Sequence, residues 1–210
     1  MKKLYFIFFL LYFSLAHSEN ILDKTRRIVN EIDNETFIAI NQSIDFKPVD
    51  YFMAGITMLG HALVLVPIVA LVLFLTNKDT FKNDFIFFIG VLILGGLIIQ
   101  ILKFIVNRPR PLNRFSNAKI LLEPLRAHSF PSGHTQSIFT AGIFLSKKIN
   151  KLKWLFFLIA VLVGISRIYT GVHFLSDVIA GALIGILITE WAFWIFRKKT
   201  SVIVNPKMSS

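Results

Sequence analysis

Three short stretches of this 210-residue chain set ionisable side chains beside helix-breaking residues. The first is Lys103-Phe-Ile-Val-Asn-Arg108-Pro109-Arg110-Pro111. An apolar run leads into it, and the two prolines force the chain out of a helix there. Lys103 near the helix end and Arg110 seven residues on straddle that exit and can converge on one anion. The same cations can instead snorkel to lipid headgroups, so this segment alone decides nothing. The second is His128-Ser129-Phe130-Pro131-Ser132-Gly133-His134-Thr135. Pro131 and Gly133 set a tight entry into a helix whose first N–H groups, with the Ser132 hydroxyl, are free to hold phosphate oxygens. His134, one residue inside, titrates near neutrality and suits proton transfer to a leaving oxygen. A plain helix cap beside a surface histidine has the same appearance.

The third stretch is Ser166-Arg167-Ile-Tyr-Thr-Gly-Val-His173-Phe-Leu-Ser-Asp177. A spacing of four puts His173 and Asp177 on one helix face. The carboxylate can then accept the ring N–H and leave the other imidazole nitrogen as an aligned lone pair. Arg167, across the turn, offers a planar fork of donors to phosphate oxygens. A structural His/Asp pair at a helix start would share this spacing. Arg108, Asn107, Tyr169 and His128 lie near these motifs and receive no role.

The elements that must position these residues are membrane helices. With 55% hydrophobic residues and a mean hydropathy of +0.67, the chain is too apolar for a soluble globule of its size. A bilayer core about 30 Å thick takes roughly 20 apolar residues to cross as a helix. That length marks spans at 52–76, 85–106, 154–170 and 174–196, with a weaker one at 133–147. The expected fold is all-α: a polytopic bundle of five core transmembrane helices plus an N-terminal apolar segment. Pro67 is expected to bend the first span. Gly95-Gly96, Gly181 and Gly185 are expected to allow close helix approach. His61 and Gln100 are expected to hydrogen-bond between helices, and Glu190 with Trp191 and Trp194 to lie in an interfacial belt.

Residues 1–18 have a basic start, an apolar run and a small-x-small ending, the pattern of a signal peptide or of a first transmembrane helix. Residues 19–50 carry seven acids, four bases and Ile21, Leu22, Ile28, Val29 and Ile32 at helical spacing, as an extracytoplasmic amphipathic segment would. The core follows over 51–200, with a cytoplasmic tail at 201–210. Lys78 and Lys82, then Lys147, Lys148, Lys151 and Lys153, then Arg197, Lys198, Lys199 and Lys207 fall on one side, which the distribution of Lys and Arg marks as cytoplasmic. The connection at 107–132 then lies outside. It and its flanks hold Lys103, Arg108, Arg110, Arg114, Lys119 and Arg126 against Glu123 alone. Basic residues set against the orientation rule point to a bound anion.

Lys103-x6-Arg110-Pro111, Pro131-Ser132-Gly133-His134 and Ser166-Arg167-x5-His173-x3-Asp177 together resemble the three-part signature of the type 2 phosphatidic acid phosphatase family. The match in identity, order and membrane side spans 103–177. The resemblance implies a six-helix membrane enzyme that works without a metal or other cofactor. It assigns His173 as nucleophile, Asp177 as its orienting partner and His134 as general acid. Lys103, Arg110, Ser132, Gly133 and Arg167 would cradle the phosphoryl oxygens. The substrate is then a phospholipid, isoprenoid or glycolipid phosphate: undecaprenyl pyrophosphate, phosphatidylglycerol phosphate, a lipid A phosphate or phosphatidic acid. The expected setting is a bacterial inner membrane with the site facing the periplasm.

Two other function classes compete. A phosphotransferase would use the same phosphohistidine with a second lipid as acceptor. A transporter or lipid-binding protein would use the basic cluster alone, and it has no use for the His173/Asp177 pairing. Nucleic acid is excluded, because the 23 basic residues behind the net charge of +11 are split among short loops and form no continuous face. Without cysteine there is neither a disulfide nor a thiolate metal site. No obligatory protein partner is implied.

Overall fold

The computed structural model describes residues 21–121 and 128–204, and within them the regular structure is helical. The N-terminal apolar segment, Glu123, Arg126 and Lys207 lie outside the described residues. Helix α1 covers 21–37 and ends in a π-helical turn, Ile38–Gln42. Then follow α2 (Lys47–Thr57), α3 (Ala62–Thr76), α4 (Phe81–Val106), α5 (Gly133–Lys148), α6 (Lys153–Tyr169) and α7 (Leu175–Val204).

The centre of the bundle is α5, which packs against α3, α4, α6 and α7. Its apolar residues Phe139, Phe144 and Leu145 are buried with Phe88 of α4 and Val163 of α6. Its polar residues Thr135, Gln136, Ser137 and Thr140 are buried too, because their groups bond locally: Gln136 Nε2 donates to Thr140 Oγ1 at 3.0 Å, and Ser137 Oγ donates to the Gly133 and Gly60 carbonyls at 2.8 Å. Glycine permits the close approach. A Cβ on Gly181 or Gly185 of α7 would run into the Ser132 or Gln136 carbonyl, and one on Gly95 of α4 into the Gln136 side chain. Gly96 has open space instead, so only one glycine of that pair serves as expected.

Among the described residues, three helices, Phe81–Asn113, Asn150–Tyr169 and Leu175–Phe196, are long and apolar enough to cross a membrane. A fourth crossing requires α2 and α3 to act as one span, and the two meet at 69°. Length and apolarity therefore do not reproduce the expected count of five. The span expected at 52–76 is bent, but at a different place from Pro67, through which α3 runs on. The break is at His61, whose extended backbone (φ −80°, ψ 129°) separates a 3₁₀ turn, Met58–Gly60, from α3. The other departure is α5, whose 16 residues reach only about 24 Å. Enclosed by other helices rather than lipid, it needs neither full length nor a uniformly apolar surface.

Helix α1 is joined to the bundle through Phe37, which is fully buried and stacked on Phe115 at 4.9 Å. Its apolar residues Ile21, Leu22, Ile28, Val29 and Ile32 are exposed. Gln100 lies on the exposed face of α4, contrary to the interhelical role expected of it. Glu190 pairs with Lys147 of α5 at 2.8 Å, a more specific arrangement than the expected belt, while Trp191 and Trp194 are exposed beside it.

Candidate active site

All three sequence motifs come together at one end of the bundle, opposite the Lys147–Glu190 and Lys148–Asp84 ion pairs. Lys103 lies in the last turn of α4, which closes on Asn107 in the left-handed conformation (φ 48°). Asparagine tolerates that conformation, and the chain turns there into Arg108-Pro109-Arg110. Lys103 Nζ donates to the His128 carbonyl and, at 3.4 Å, to that of Ser129. Arg110 Nη1 donates to the Val172 carbonyl at 2.8 Å. Arg110 is buried, within electrostatic reach of Asp177. The arginine remains cationic.

The second motif is tied to the third by the backbone, since Ser132 N–H donates to the Asp177 carbonyl at 3.0 Å. The Ser132 hydroxyl oxygen already has partners within the fold. It caps α5, accepting from Thr135 N–H at 3.4 Å and from Thr135 Oγ1 at 2.8 Å. Ser132 is fully buried, whereas Gly133 and His134 are only partly so and form the open edge of the site. His134 lies within electrostatic reach of Arg167, His173, His61 and Arg110.

Between α6 and α7 the chain turns at Gly171, whose φ of +82° and closeness to the Lys119 carbonyl leave no room for a side chain. The amides of Val172 and His173 both return to the Arg167 carbonyl. His173 and Asp177 are 2% and 0% exposed, and His173 Nδ1 faces Asp177 Oδ2 at 3.4 Å. That is long for a hydrogen bond. The same oxygen accepts the Phe174 N–H at 2.9 Å. Burial, partly offset by Asp177, pushes the His173 pKa down to about 3, so the ring is neutral at physiological pH. Arg167 is 2% exposed. It donates through Nη1 to Thr57 Oγ1 at 2.7 Å and keeps a buried Nε without a hydrogen-bond partner. An unsatisfied donor on a buried cation is costly unless a ligand completes it.

Thus all eight predicted site residues share one end of the fold. Three others at the site were assigned no site role from the sequence. Thr57 holds Arg167. His61, expected to bridge helices, lies edge-on to His134 with ring centroids 5.6 Å apart. Arg108 contacts Asp177 directly, Nη1 to Oδ1 at 2.8 Å. Of the other neighbours, Tyr169 turns away to Asp50 at 2.6 Å, and His128 contributes its carbonyl.

A bacitracin transport permease protein, BcrC, of Bacillus licheniformis is 32% identical over 168 residues, covering 80% of this chain and 77% of its own. An undecaprenyl-diphosphatase of Sulfolobus acidocaldarius is 32% identical over 187 residues, covering 88% and 87%. The crystal structure of a transmembrane PAP2-type phosphatidylglycerolphosphate phosphatase from Bacillus subtilis superposes with a TM-score of 0.66 at 30% identity, covering 81% of this chain and 87% of that one. The PAP2 superfamily model matches residues 84–201, which take in all three motifs but neither Thr57 nor His61, and the chain belongs to the PAP2 superfamily.

Proposed function

We propose that the chain, an integral membrane lipid phosphatase of that superfamily, hydrolyses its substrate through a phosphohistidine on His173. The observation that carries this reading is the buried His173–Asp177 pair beside the unsatisfied Arg167 Nε. Nδ1 faces the carboxylate, so Nε2 is the nitrogen left to attack phosphorus. As the P–N bond forms, the bond to the leaving oxygen breaks, and His134 gives that oxygen its proton. His134, now neutral, takes a proton from the water whose oxygen attacks phosphorus. The P–N bond breaks, inorganic phosphate leaves, and both histidines are restored.

Lys103, Arg110 and Arg167 are close enough to interact electrostatically, which supports a joint role in holding the phosphoryl oxygens. The Ser132 hydroxyl proton and the Gly133 amide would add donors at the start of α5. Three cations at one phosphate suit metal-independent chemistry. The Lys and Arg distribution supports placing this end of the bundle on the extracytoplasmic side, toward the periplasm in a bacterial inner membrane, with α1 along the outer surface.

The named activities of the relatives favour hydrolysis of a lipid phosphate or diphosphate over transfer to a second lipid. The permease name of one relative raises transport, but a buried nucleophile and acid have no part in simple passage. The test is phosphate release by the purified protein in detergent with EDTA, from undecaprenyl pyrophosphate, phosphatidylglycerol phosphate, lipid A phosphate and phosphatidic acid. At least one lipid should yield phosphate, vanadate should inhibit, and His173→Ala should yield none. Turnover that needs magnesium, or a second lipid as acceptor, overturns the proposal.

A further inference from the structure

Asp177 divides its oxygens between two partners: Oδ2 serves His173 and the Phe174 amide, and Oδ1 accepts from Arg108 Nη1 at 2.8 Å. Arg108 lies between the motif residues Lys103 and Arg110, and its guanidinium does not stop at Asp177. Nη1 also donates to Ser176 Oγ at 2.7 Å, Nη2 donates to Asp33 Oδ2 at 2.6 Å, and the fork lies over the Phe174 ring at 4.2 Å. Asp33 comes from α1, about 140 residues earlier in the chain, and is only 1% exposed. Its Oδ1 accepts the Ser176 N–H at 2.8 Å, and its Oδ2 also accepts the Ser176 hydroxyl at 2.6 Å. Asp33 thereby does for the first turn of α7 what an N-cap residue does, from outside the helix.

Resting on the phosphohistidine reading, we propose that Arg108 and Asp33 are positioning residues for the nucleophile, so that the surface helix α1 forms part of the catalytic apparatus. Arg on Oδ1 and a backbone amide on Oδ2 fix the plane of the Asp177 carboxylate. The remaining lone pair of Oδ2 then points at His173 Nδ1 and selects the tautomer whose Nε2 is unprotonated. Two buried carboxylates flank one guanidinium, so Arg108 also stabilises Asp177 as an anion. It needs a rigid fork to serve Asp33 and Asp177 together. Burying Asp33 costs free energy that its contacts offset only while Arg108 and Ser176 are in place. A helix required only to lie on a membrane would have no need to bury a carboxylate at this point.

The test compares Arg108→Gln, Arg108→Lys, Asp33→Asn and the Gln/Asn double variant in the full-length protein. Arg108→Gln and Asp33→Asn should each lower kcat by about 10–100-fold, the range for outer partners of an oriented histidine, with KM changed less than about threefold. The double variant should be little worse than the poorer single, because the two act through one chain of contacts. Arg108→Lys should recover part of kcat, having the charge without the fork. Independently of turnover, ¹⁵N NMR of labelled histidine should show the His173 ring mainly as the Nδ1–H tautomer, and Arg108→Gln should shift it toward a mixture. An unchanged kcat, a rise confined to KM, or an unaltered tautomer overturns the proposal. Monodisperse elution of the variants guards against simple misfolding. A wild type with the expected tautomer that forms no phosphohistidine would instead reject the catalytic reading and leave the positioning result standing.

Discussion

Arg167 on α6 donates to the Thr57 hydroxyl on α2 at 2.7 Å, joining residues 110 positions apart, and both side chains are buried. The bond holds one arm of the guanidinium fork before any substrate arrives, while Nε has no hydrogen-bond partner among the described residues. The cation is therefore oriented in advance, and no ordering of that arm is needed when phosphate binds.

Removing the acceptor while keeping the shape should show how much that orientation matters. Thr57→Val leaves a charged donor buried and unsatisfied, a loss of about 1.5–3 kcal/mol. If all of it falls on transition-state binding, kcat/KM should drop about 10–100-fold. Thr57→Ser keeps the hydroxyl and should stay within about threefold. Full activity in the Val variant would mean that Arg167 is oriented by packing alone.

The buried state of His173 makes a pH prediction. With its folded pKa near 3 and an ordinary value of 6.5, the ring should stay neutral and nucleophilic across the physiological range. In ¹³C NMR of labelled histidines, the signal missing from His173→Ala should not titrate between pH 8 and pH 5. The sign for stability follows from the same shift. Below pH 6.5 the unfolded chain takes up a proton that the folded chain does not, so this group lowers stability as pH falls from 6.5 toward 3. A His173 signal titrating near 6.5 would show that the unliganded site admits water and a charged ring.

The two histidines should fail differently. If His173 makes the bond to phosphorus, as proposed, His173→Ala should lose phosphoenzyme with every substrate. In the proposed mechanism His134 chiefly protonates the departing oxygen, worth roughly 10²–10⁴-fold, and an activated aryl phosphate needs little of that help. His134→Ala should therefore still be labelled by such a substrate and accumulate an acid-labile adduct, for want of a base to activate water. Asp177→Asn should resemble a weakened His173 variant through loss of the preferred tautomer. Labelling retained by His173→Ala and lost by His134→Ala would reverse the two roles.

The three motifs were readable because short-range rules set them: proline exits, a glycine entry and an i to i+4 pair. Thr57, His61, Asp33 and Arg108 were not, because each acts on a residue far along the chain, and no local pattern marks a partner 69, 110 or 143 positions away. The break at His61 was missed for a related reason. An apolar run carries no sign of a bend set by packing, and here the turn is pressed on α5 so tightly that a Cβ on Gly60 would come within 2.9 Å of His134. Apolar length likewise misjudged α5, a helix defined by what surrounds it.

The last prediction concerns which side of the membrane the site faces. The cationic end of the bundle carries the exposed 113–117 turn next to the docked end of α1, and the opposite end carries the lysines at 147–153 and the C-terminal part of α7. If lysines and arginines mark the cytoplasm, the second end is inside. The chain has no cysteine, so a single introduced thiol reports without background. Ser116 is exposed on the turn. Ser116→Cys should react with an impermeant maleimide in intact cells, and Ser201→Cys should react only after permeabilisation. A detergent-solubilised sample should label both, which separates sidedness from burial. The reverse pattern would put the site on the cytoplasmic face. Arg110, Arg167 and Lys103 would then follow the orientation rule, and their clustering would need no anion to explain it.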